Sequence, residues 1–290
     1  SQVVYNIPVL TGWSVEALAA ELENDLPAFF ILTNSRSLLQ PAAEAVNAEI
    51  GRNLAAAIDR TGRSIAVVSR SDSTLRGHFP AEVRALASGL KRDFHAWLII
   101  PALPSAGRHT IQDVHYVAEE DWLIPAGDSP YAQDATFGYR SSNLREWVEE
   151  KTGGQVKAAQ VQSVSLEDIR MGGPSAVMQR LLDLPHGSVC IVNAVTRRDL
   201  DVFALGLLLA EEQGHTYLYR TGPTFVPARI GIRPYPTLRP DDLRLPEAGG
   251  GLIVVGSYVP KTSGQVNHLF EHGDVRPIEI QVEKLLDGAT

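Results

Sequence analysis

The sequence predicts an α/β fold in which a mostly parallel sheet is flanked by helices. Short apolar runs alternate with longer amphipathic stretches along the 290-residue chain, and proline and glycine residues separate them. This alternation is typical of βα units, in which each helix returns the chain to the same end of the sheet. We therefore expect a Rossmann-like three-layer arrangement, followed by the beginning of a second α/β domain.

Each predicted strand is an apolar run, and each predicted helix is an amphipathic stretch that lies between such runs. In chain order, the predicted strands are residues 28–32, 65–68, 96–100, 159–164, 188–193, 216–219, 252–255 and 276–280. The predicted helices are residues 15–23, 42–59, 81–90, 144–151, 175–184, 200–213 and 265–272. No internal repeat or low-complexity tract interrupts this order.

The chain divides into two predicted domains. Residues 233–250 are rich in proline and then in glycine, without periodicity, which is typical of a linker. They would join a first domain, residues 1–232, to the start of a second at residues 251–290. The chain begins at Ser1 inside an apolar stretch and ends soon after a predicted strand and helix. We therefore expect it to be part of a longer protein.

Composition excludes several classes of protein. The net charge of −8 argues against a nucleic-acid-binding face. No apolar run is long enough to span a bilayer, and no basic segment precedes an apolar one as in a secretory signal. The single cysteine, Cys190, lies in an apolar run, which excludes a disulfide framework and a cysteine zinc site. We expect a cytoplasmic protein with a small-molecule partner and with no metal site built from cysteine and histidine.

The most informative stretch is Arg-Ser-Asp-Ser-Thr-Leu-Arg-Gly at residues 70–77, directly after the apolar run 65–68. Ligands of parallel sheets bind at the carboxyl ends of the strands. Arg76 can clamp a carboxylate or phosphate, and the hydroxyls of Ser73 and Thr74 can bind those of a ligand. Asp72 can orient a hydroxyl or take its proton. The alternative is a capped turn, with Asp72 or Ser73 at the N-cap of a helix that begins near Phe79.

Two further strand ends carry polar residues. Ser35 and Arg36 follow the strand 28–32, and Arg108 follows the strand 96–100 through a loop of proline, serine and glycine. Both arginines are candidates for binding an acid group, although Arg36 could instead cap a helix or lie on the surface. His109 and His115 are either acid–base groups or simply hydrogen-bonding residues.

Asn193 and Asp199 are weaker candidates. Asn193 closes the strand 188–193, and Asp199 lies near the start of the next helix. Asp199 is as consistent with a partner of the helix dipole as with a ligand-binding residue.

An ordered set of motifs resembles the four-carbon acid sugar kinase family. The family motif Lys-x-Asp-Ser-Thr-Leu-Arg-Gly is similar to residues 70–77, except that Arg70 replaces the lysine. Arginine keeps the charge but has a planar, forked shape that lysine lacks. The other segments that resemble the family are residues 33–36, 101–108, 192–194 followed by 199–200, 219–226, and 255–257 with Thr262 and Gln265.

The resemblance implies an ATP-dependent kinase that phosphorylates the terminal hydroxyl of threonate, erythronate or a 3-oxo-tetronate. ATP and Mg²⁺ would be the cofactors, and a homodimer is compatible with the family. The catalytic base would be an aspartate upstream of this chain, with Asp72 as the fallback. The implied substrate-binding residues are Ser35, Arg36, Asp72, Ser73, Thr74, Arg76, Gly77 and Arg108. The implied nucleotide contacts are Gly256, Ser257 and Thr262 in the second domain.

Two other classes of function stay open. A non-catalytic binding or effector protein would keep the acid pocket without the kinase chemistry. A hydroxyacid oxidoreductase ranks lower, because no Gly-x-Gly-x-x-Gly fingerprint follows any predicted strand.

Overall fold

The structure is a computed structural model, and it describes residues 7–232, 239–243, 249–257 and 260–287. The chain divides into two compact units, Ser1–Thr237 and Leu238–Thr290. The strands of the described residues are β1 Val9–Leu10, β2 Phe30–Ile31, β3 Val68–Arg70, β4 Ala96–Ile100, β5 Arg108–Ile111, β6 Val114–Glu119, β7 Trp122–Pro125, β8 Gln162–Val164, β9 Ser188–Val192 and β10 Tyr217–Thr221. The helices are α1 Val15–Glu23, α2 Gln40–Thr61, α3 Ala81–Leu90, α4 Leu144–Lys151, α5 Leu166–Arg170, α6 Gly173–Leu182, α7 Arg197–Glu212, α8 Phe225–Arg229, α9 Pro260–His272 and α10 Val282–Asp287.

The first unit is built on a five-stranded parallel sheet with the strand order β3-β10-β4-β9-β8. Strands β1 and β2 form a separate parallel pair, and β5, β6 and β7 form an antiparallel sheet. The parallel sheet confirms the predicted fold class. Since all five strands run in one direction, their carboxyl ends share one edge of the sheet, where ligands of such folds bind.

Two apolar cores cover the two faces of this sheet. Successive side chains of a strand point to opposite faces. Accordingly, Ile99 and Leu218 belong to the core that includes residues of α1, α2, α3 and α4. Leu98 and Tyr219 belong to the core that includes residues of α6 and α7. This partition is the predicted arrangement of three layers.

Local sequence explains several helix boundaries. Ser14 and Asn143 accept a backbone N–H at the N-termini of α1 and α4, and both helices have the predicted bounds. Helix α2 runs longer than predicted, from a proline in its first turn to Gly62, whose φ of +67° ends it. Helix α7 begins earlier than predicted because Thr196 and Asp199 form a capping box.

Two predicted strands are wrong. Residues 252–255 and 276–280 are described, and neither forms a strand. Leu252 and Val254 are 85% and 80% exposed. An apolar run becomes a strand only where a neighbouring strand takes its backbone hydrogen bonds and a core covers its side chains. Within the described part of the second unit neither condition is met. Much of the predicted linker, residues 233–238 and 244–248, lies outside the described residues.

The antiparallel sheet β5-β6-β7 was not predicted. Its turns use residues with positive φ that are not glycine, namely Gln112, Asp113 and Glu120. Without the usual glycine signal, the two turns are hard to find in the sequence. The predicted strand 159–164 is also shorter, because residues 158–160 form a 3-10 turn before β8. No helix among the described residues has the length and apolar character that a membrane crossing requires.

Candidate functional site

The motif at residues 70–77 begins at the end of β3 and lies at the ligand-binding edge of the parallel sheet. Ser71 N–H donates to the Thr221 carbonyl at the end of β10, over 2.8 Å. The loop then turns through Leu75, whose φ is +67° and whose side chain is fully buried, and through Gly77 at φ +125°. The buried side chain of Leu75 thus anchors the loop in the core, and the residues on either side of Leu75 are polar.

A compact charge cluster forms on this loop. The Asp72 Oδ2 atom accepts hydrogen bonds from the Thr74 hydroxyl and, over 2.8 Å, from Arg76 Nε. Arg36 Nη1 lies 3.8 Å from the same oxygen. On its other side, Arg76 Nη1 lies 3.6 Å from Asp134. The structure therefore brings together Arg36, Asp72, Thr74 and Arg76, four of the predicted substrate residues.

The Asp72 carboxyl is ionised in this setting. Burial alone would raise its pKa, but the hydrogen bond from Thr74 and the charges of Arg76 and Arg36 outweigh burial and lower the pKa. A carboxylate with a lowered pKa is a weak proton acceptor. The geometry therefore favours Asp72 as a group that orients a ligand hydroxyl over Asp72 as a catalytic base.

Ser35 and Arg36 lie on a 3-10 turn that follows β2, outside the five-stranded sheet. Ser35 Oγ donates to Glu82 Oε1 over 2.5 Å, and Glu82 is in the first turn of α3. His78 Nε2 donates to the Leu38 carbonyl over 2.9 Å and so holds the end of the turn against the motif segment. The half-exposed Arg36 is free to adjust toward a ligand.

Tyr131 is a site residue that the sequence analysis missed. The Arg76 guanidinium carbon is 5.1 Å from its ring centroid, and that of Arg108 is 5.3 Å away. Arg108 Nη2 also donates to the Tyr131 hydroxyl over 3.0 Å. The phenol thus brings two predicted acid-binding arginines into one neighbourhood, through cation–π contacts. Tyr131 and Asp134 lie in a stretch without strand or helix periodicity, so no pattern marked them.

Arg220, the fourth residue of β10, is buried beneath the motif and was not a predicted site residue. Its guanidinium carbon lies 5.1 Å from the Phe79 ring centroid and 5.2 Å from that of Trp147. Burial lowers its pKa to about 10, so the group stays charged at neutral pH. Among the described residues, no carboxylate lies within 4.0 Å of it. Gly77 lies next to it, since a Cβ there would stand in van der Waals contact with Arg220 Nη2, at 3.4 Å.

The two histidine candidates are hydrogen-bonding residues in this structure. His115 is fully buried, and burial lowers its pKa to about 4, so the ring is neutral. Its Nε2 lies 2.8 Å from the carbonyl oxygen of Ser73. His109 Nδ1 lies 2.9 Å from the carbonyl of Val195. Ser73 itself is buried, and its carbonyl oxygen is the acceptor of the hydrogen bond from His115.

Asn193 and Asp199 have structural partners. Asn193 Nδ2 donates to Asp113 Oδ1, and its own Oδ1 accepts from Asp113 N–H, each over 2.8 Å. This pair ties the β5–β6 turn to the end of β9. Asp199 accepts two hydrogen bonds from Arg170, of 2.8 and 2.9 Å, and caps α7. The structure thus places Asp199 in the first turn of α7, as its interpretation as a partner of the helix dipole requires.

The predicted nucleotide contacts belong to the second unit. Thr262 Oγ1 donates to Ser257 Oγ over 3.2 Å, and Ser257 is exposed whereas Thr262 is partly buried. No atom lies within 4 Å of where a Cβ on Gly256 would stand. Within the described part of this unit, these three residues offer hydroxyls but do not enclose a phosphate. On α9, His268, Glu271 and His272 have ligand atoms within 4.8 Å of one another, all exposed to solvent.

Comparisons with known proteins identify the family and the fold of this chain. A family model described as a sugar-binding N-terminal domain matches residues 5–229. A solved structure from Bordetella bronchiseptica, a domain of unknown function with bound citrate in a domain-swapped dimer, is 20% identical with a TM-score of 0.58. That match covers 78% of this chain and 49% of the Bordetella chain, so this chain spans about half the length of that protein.

Two other solved structures share the fold. A Haemophilus influenzae protein is 18% identical with a TM-score of 0.58, over 96% of this chain and 67% of that chain. A Salmonella typhimurium protein with a provisional tRNA synthase label is 16% identical with a TM-score of 0.60, over 94% and 65% of the two chains. The comparison with curated proteins found no match.

Proposed function

The chain belongs to the family with this sugar-binding N-terminal domain, and we propose that it binds a four-carbon sugar acid at the Asp72 loop for phosphorylation of its terminal hydroxyl. The observation that carries the proposal is the convergence of Arg36 and Arg76 on Asp72 at the ligand-binding edge of the sheet. The four-carbon acid sugar kinases, which the sequence motifs resemble, supply the reaction class.

The arginines would bind the carboxylate end of the ligand. Arg36, Arg76 and Arg108 lie around one site and face the carboxylates of Asp72 and Asp134, so three guanidinium groups against two carboxylates leave an excess of positive charge in a chain whose net charge is −8. Guanidinium groups suit a carboxylate because two parallel N–H donors match its two oxygens. The Bordetella relative holds citrate, a hydroxy acid, which agrees with this chemistry.

The Asp72 loop would bind the hydroxyl groups. All three contacts of the Asp72 carboxylate go to Oδ2, and within the described residues Oδ1 accepts no hydrogen bond. Oδ1 can therefore accept from a ligand hydroxyl. The Thr74 and Ser35 hydroxyls each keep acceptor capacity while donating to Asp72 and Glu82. A polyhydroxylated acid would satisfy both kinds of group at once.

Phosphoryl transfer depends mainly on positioning and on neutralising charge. ATP with Mg²⁺ would supply the phosphoryl group, and the roles of Gly256, Ser257 and Thr262 in holding it stay a prediction. The first unit would fix the acid by its carboxylate and orient its hydroxyls. Because the Asp72 pKa is lowered, we assign Asp72 to orientation of a ligand hydroxyl rather than to proton abstraction.

Titration calorimetry with threonate, erythronate, a 3-oxo-tetronate and the neutral polyol erythritol tests the proposal. We expect one of the acids to bind and erythritol not to bind. The same acid, incubated with ATP, Mg²⁺ and the longest form of the protein that can be expressed, should yield a sugar-acid phosphate by mass spectrometry. Binding without any phosphate would favour the non-catalytic binding protein, and no binding of any acid would refute the proposal.

We also expect self-association. The Bordetella relative is a domain-swapped dimer, and the same state is proposed for this protein. Light scattering coupled to size-exclusion chromatography should give twice the chain mass of 31.5 kDa.

A further inference from the structure

Three backbone carbonyls of the motif loop each accept a hydrogen bond from a buried side chain of another part of the fold. His115 Nε2 donates to the Ser73 carbonyl over 2.8 Å, and the Tyr139 hydroxyl donates to the Thr74 carbonyl over 2.9 Å. Arg220 Nη2 donates to the Arg76 carbonyl over 3.3 Å. We propose that these three donors, the carbonyl clamp, are positioning residues that hold the loop in its ligand-binding conformation. The ligand-binding part of this inference rests on the proposed function.

Two features of the loop would destabilise its conformation if the clamp were absent. Leu75 occupies the left-handed region at φ +67°, which is unfavourable for a side chain with a Cβ. The loop is also packed in the fold, since Ser73, Thr74 and Leu75 are buried. A buried carbonyl without a donor destabilises the conformation that buries it. Without the clamp, the loop would therefore open toward conformations in which water reaches its backbone.

His115 contributes through a single tautomer. A carbonyl oxygen only accepts, so the proton must be on Nε2, which faces Ser73. Nδ1 then accepts from the Thr110 hydroxyl, 3.0 Å away in β5. Since both ring nitrogens are used and the residue is fully buried, His115 has no contact left for a ligand. It can influence binding only through the position of Ser73.

Tyr139 and Arg220 act on the next turn of the loop from two other elements. Tyr139 lies between β7 and α4 and is 4% exposed, and Arg220 lies in β10 and is 3% exposed. The rings of Phe79 and Trp147 hold the Arg220 guanidinium in place beneath Gly77. A guanidinium packed against these two stacked rings keeps its orientation, so the carbonyl of Arg76 has a fixed donor.

The clamp should affect ligand binding through the side chains that the loop carries. The contacts among Asp72, Thr74 and Arg76 depend on backbone positions only a few residues apart, and those positions are set by the three clamped carbonyls. Loss of one donor should lower the fraction of molecules with a competent loop. The apparent dissociation constant rises by the inverse of that fraction, while the intrinsic contacts to the ligand stay unchanged.

Tyr139→Phe tests the clamp, with Tyr217→Phe as its matched control. Tyr217 is 3% exposed, and its hydroxyl donates to the Leu181 carbonyl over 3.2 Å in the core on the other face of the sheet. Each variant removes one buried hydroxyl and leaves one carbonyl without that donor. Both should lower the melting temperature, and only Tyr139→Phe should change the loop.

Two measurements separate the outcomes. Limited trypsin digestion of the ligand-free protein, followed by mass spectrometry, reports opening of the loop through cleavage after Arg76. We expect cleavage there to accelerate about fivefold or more in Tyr139→Phe, and not in Tyr217→Phe. Calorimetry with threonate should show the dissociation constant rising by a similar factor in Tyr139→Phe alone. Replacement of His115 gives a second comparison, in which His115→Gln, which keeps an N–H donor, should retain more affinity than His115→Leu.

Equal cleavage after Arg76 in the two tyrosine variants would overturn the clamp. Faster cleavage in Tyr139→Phe with unchanged threonate affinity would overturn its role in binding. If wild-type protein binds none of threonate, erythronate and a 3-oxo-tetronate while cleavage accelerates only in Tyr139→Phe, the proposed function fails and the clamp is supported as a determinant of loop conformation.

Discussion

Mild acid should destabilise the first unit through one buried histidine. His115 is fully buried, and burial lowers its pKa from 6.5 to about 4. In the unfolded chain the imidazole takes up a proton as the pH falls below 6.5, whereas in the folded protein it stays neutral until about pH 4. The unfolded state therefore binds more protons across this window, and the stability of the fold decreases as the pH falls.

The size of the effect follows from the two pKa values. Each unit of difference corresponds to about 1.36 kcal/mol, so the change from above pH 6.5 to pH 4 should lower the free energy of unfolding by about 3 kcal/mol. Buried carboxylates contribute in a different range. Asp199 has a pKa lowered to about 2, because its hydrogen bonds outweigh burial, and its contribution is lost only below pH 3.8. His95, whose pKa is also lowered by burial and by the nearby His215, contributes in the same direction between pH 4 and 6.5, so the share of His115 is read as the difference between the wild type and a variant that lacks this ring.

Urea denaturation followed by tryptophan fluorescence is the assay. The four tryptophans, at positions 13, 97, 122 and 147, all belong to the first unit, so the signal reports that unit alone. His115→Gln removes the titrating group and keeps an N–H donor, so its free energy of unfolding should depend much less on pH in this window. If the variant and the wild type lose stability equally between pH 6.5 and pH 4, burial of a neutral His115 is not the cause and the reasoning is refuted.

Three further predictions concern binding and packing. Arg76→Gln should raise the dissociation constant for a sugar acid tenfold or more, since a hydrogen bond to a charged group contributes about 1.5–3 kcal/mol. Arg197→Gln, which breaks a comparable ion pair to an aspartate four residues on, should leave calorimetric affinity unchanged, and equal losses in both would contradict the site. Asp199→Asn should cost about 1–2 kcal/mol in urea denaturation at neutral pH without altering ligand affinity. Gly89→Ala should destabilise the first unit by about 1–3 kcal/mol, because its Cβ would lie 2.9 Å from Gly51 Cα between α2 and α3. An unchanged urea midpoint for Gly89→Ala would show that α2 and α3 can move apart without a loss of stability, and it would contradict this prediction.

Elements with local signals were predicted well from the sequence. Helices α1, α3 and α4 have the predicted bounds. Their hydrophobic periodicity is contained within each helix, and the capping residues Ser14 and Asn143 directly precede α1 and α4. The meeting of Arg36 with Asp72 was also expected, although the strand before Arg36, β2, pairs with β1 and does not belong to the parallel sheet as that expectation assumed. The failed strand at 252–255 shows the limit, because an apolar run specifies burial but does not supply its own partner strand.

The non-local part of the site could not be found in the same way. Tyr131 lies 55 positions from Arg76 in the chain, in a segment without periodicity, and only the folded contact of 5.1 Å identifies it. For His115 the sequence left an acid–base role and a hydrogen-bonding role open, since a sequence shows a titratable ring but not the carbonyl that the ring contacts. Arg220 was part of a recognised segment, yet its burial beneath Gly77 depends on Phe79 and Trp147 from two other elements.

In the motif loop, the groups that would contact a ligand and the groups that hold the backbone in place therefore belong to different residues. Its own side chains, above all Asp72 and Arg76, supply the charges and hydroxyl contacts that a sugar acid would meet. Its carbonyls are held by His115, Tyr139 and Arg220, which lie outside the motif. A related chain that keeps residues 72–77 but lacks these donors would keep the side chains that contact a ligand and lose the loop conformation that positions them. Affinity for the acid should therefore follow the three buried donors as closely as it follows the motif itself.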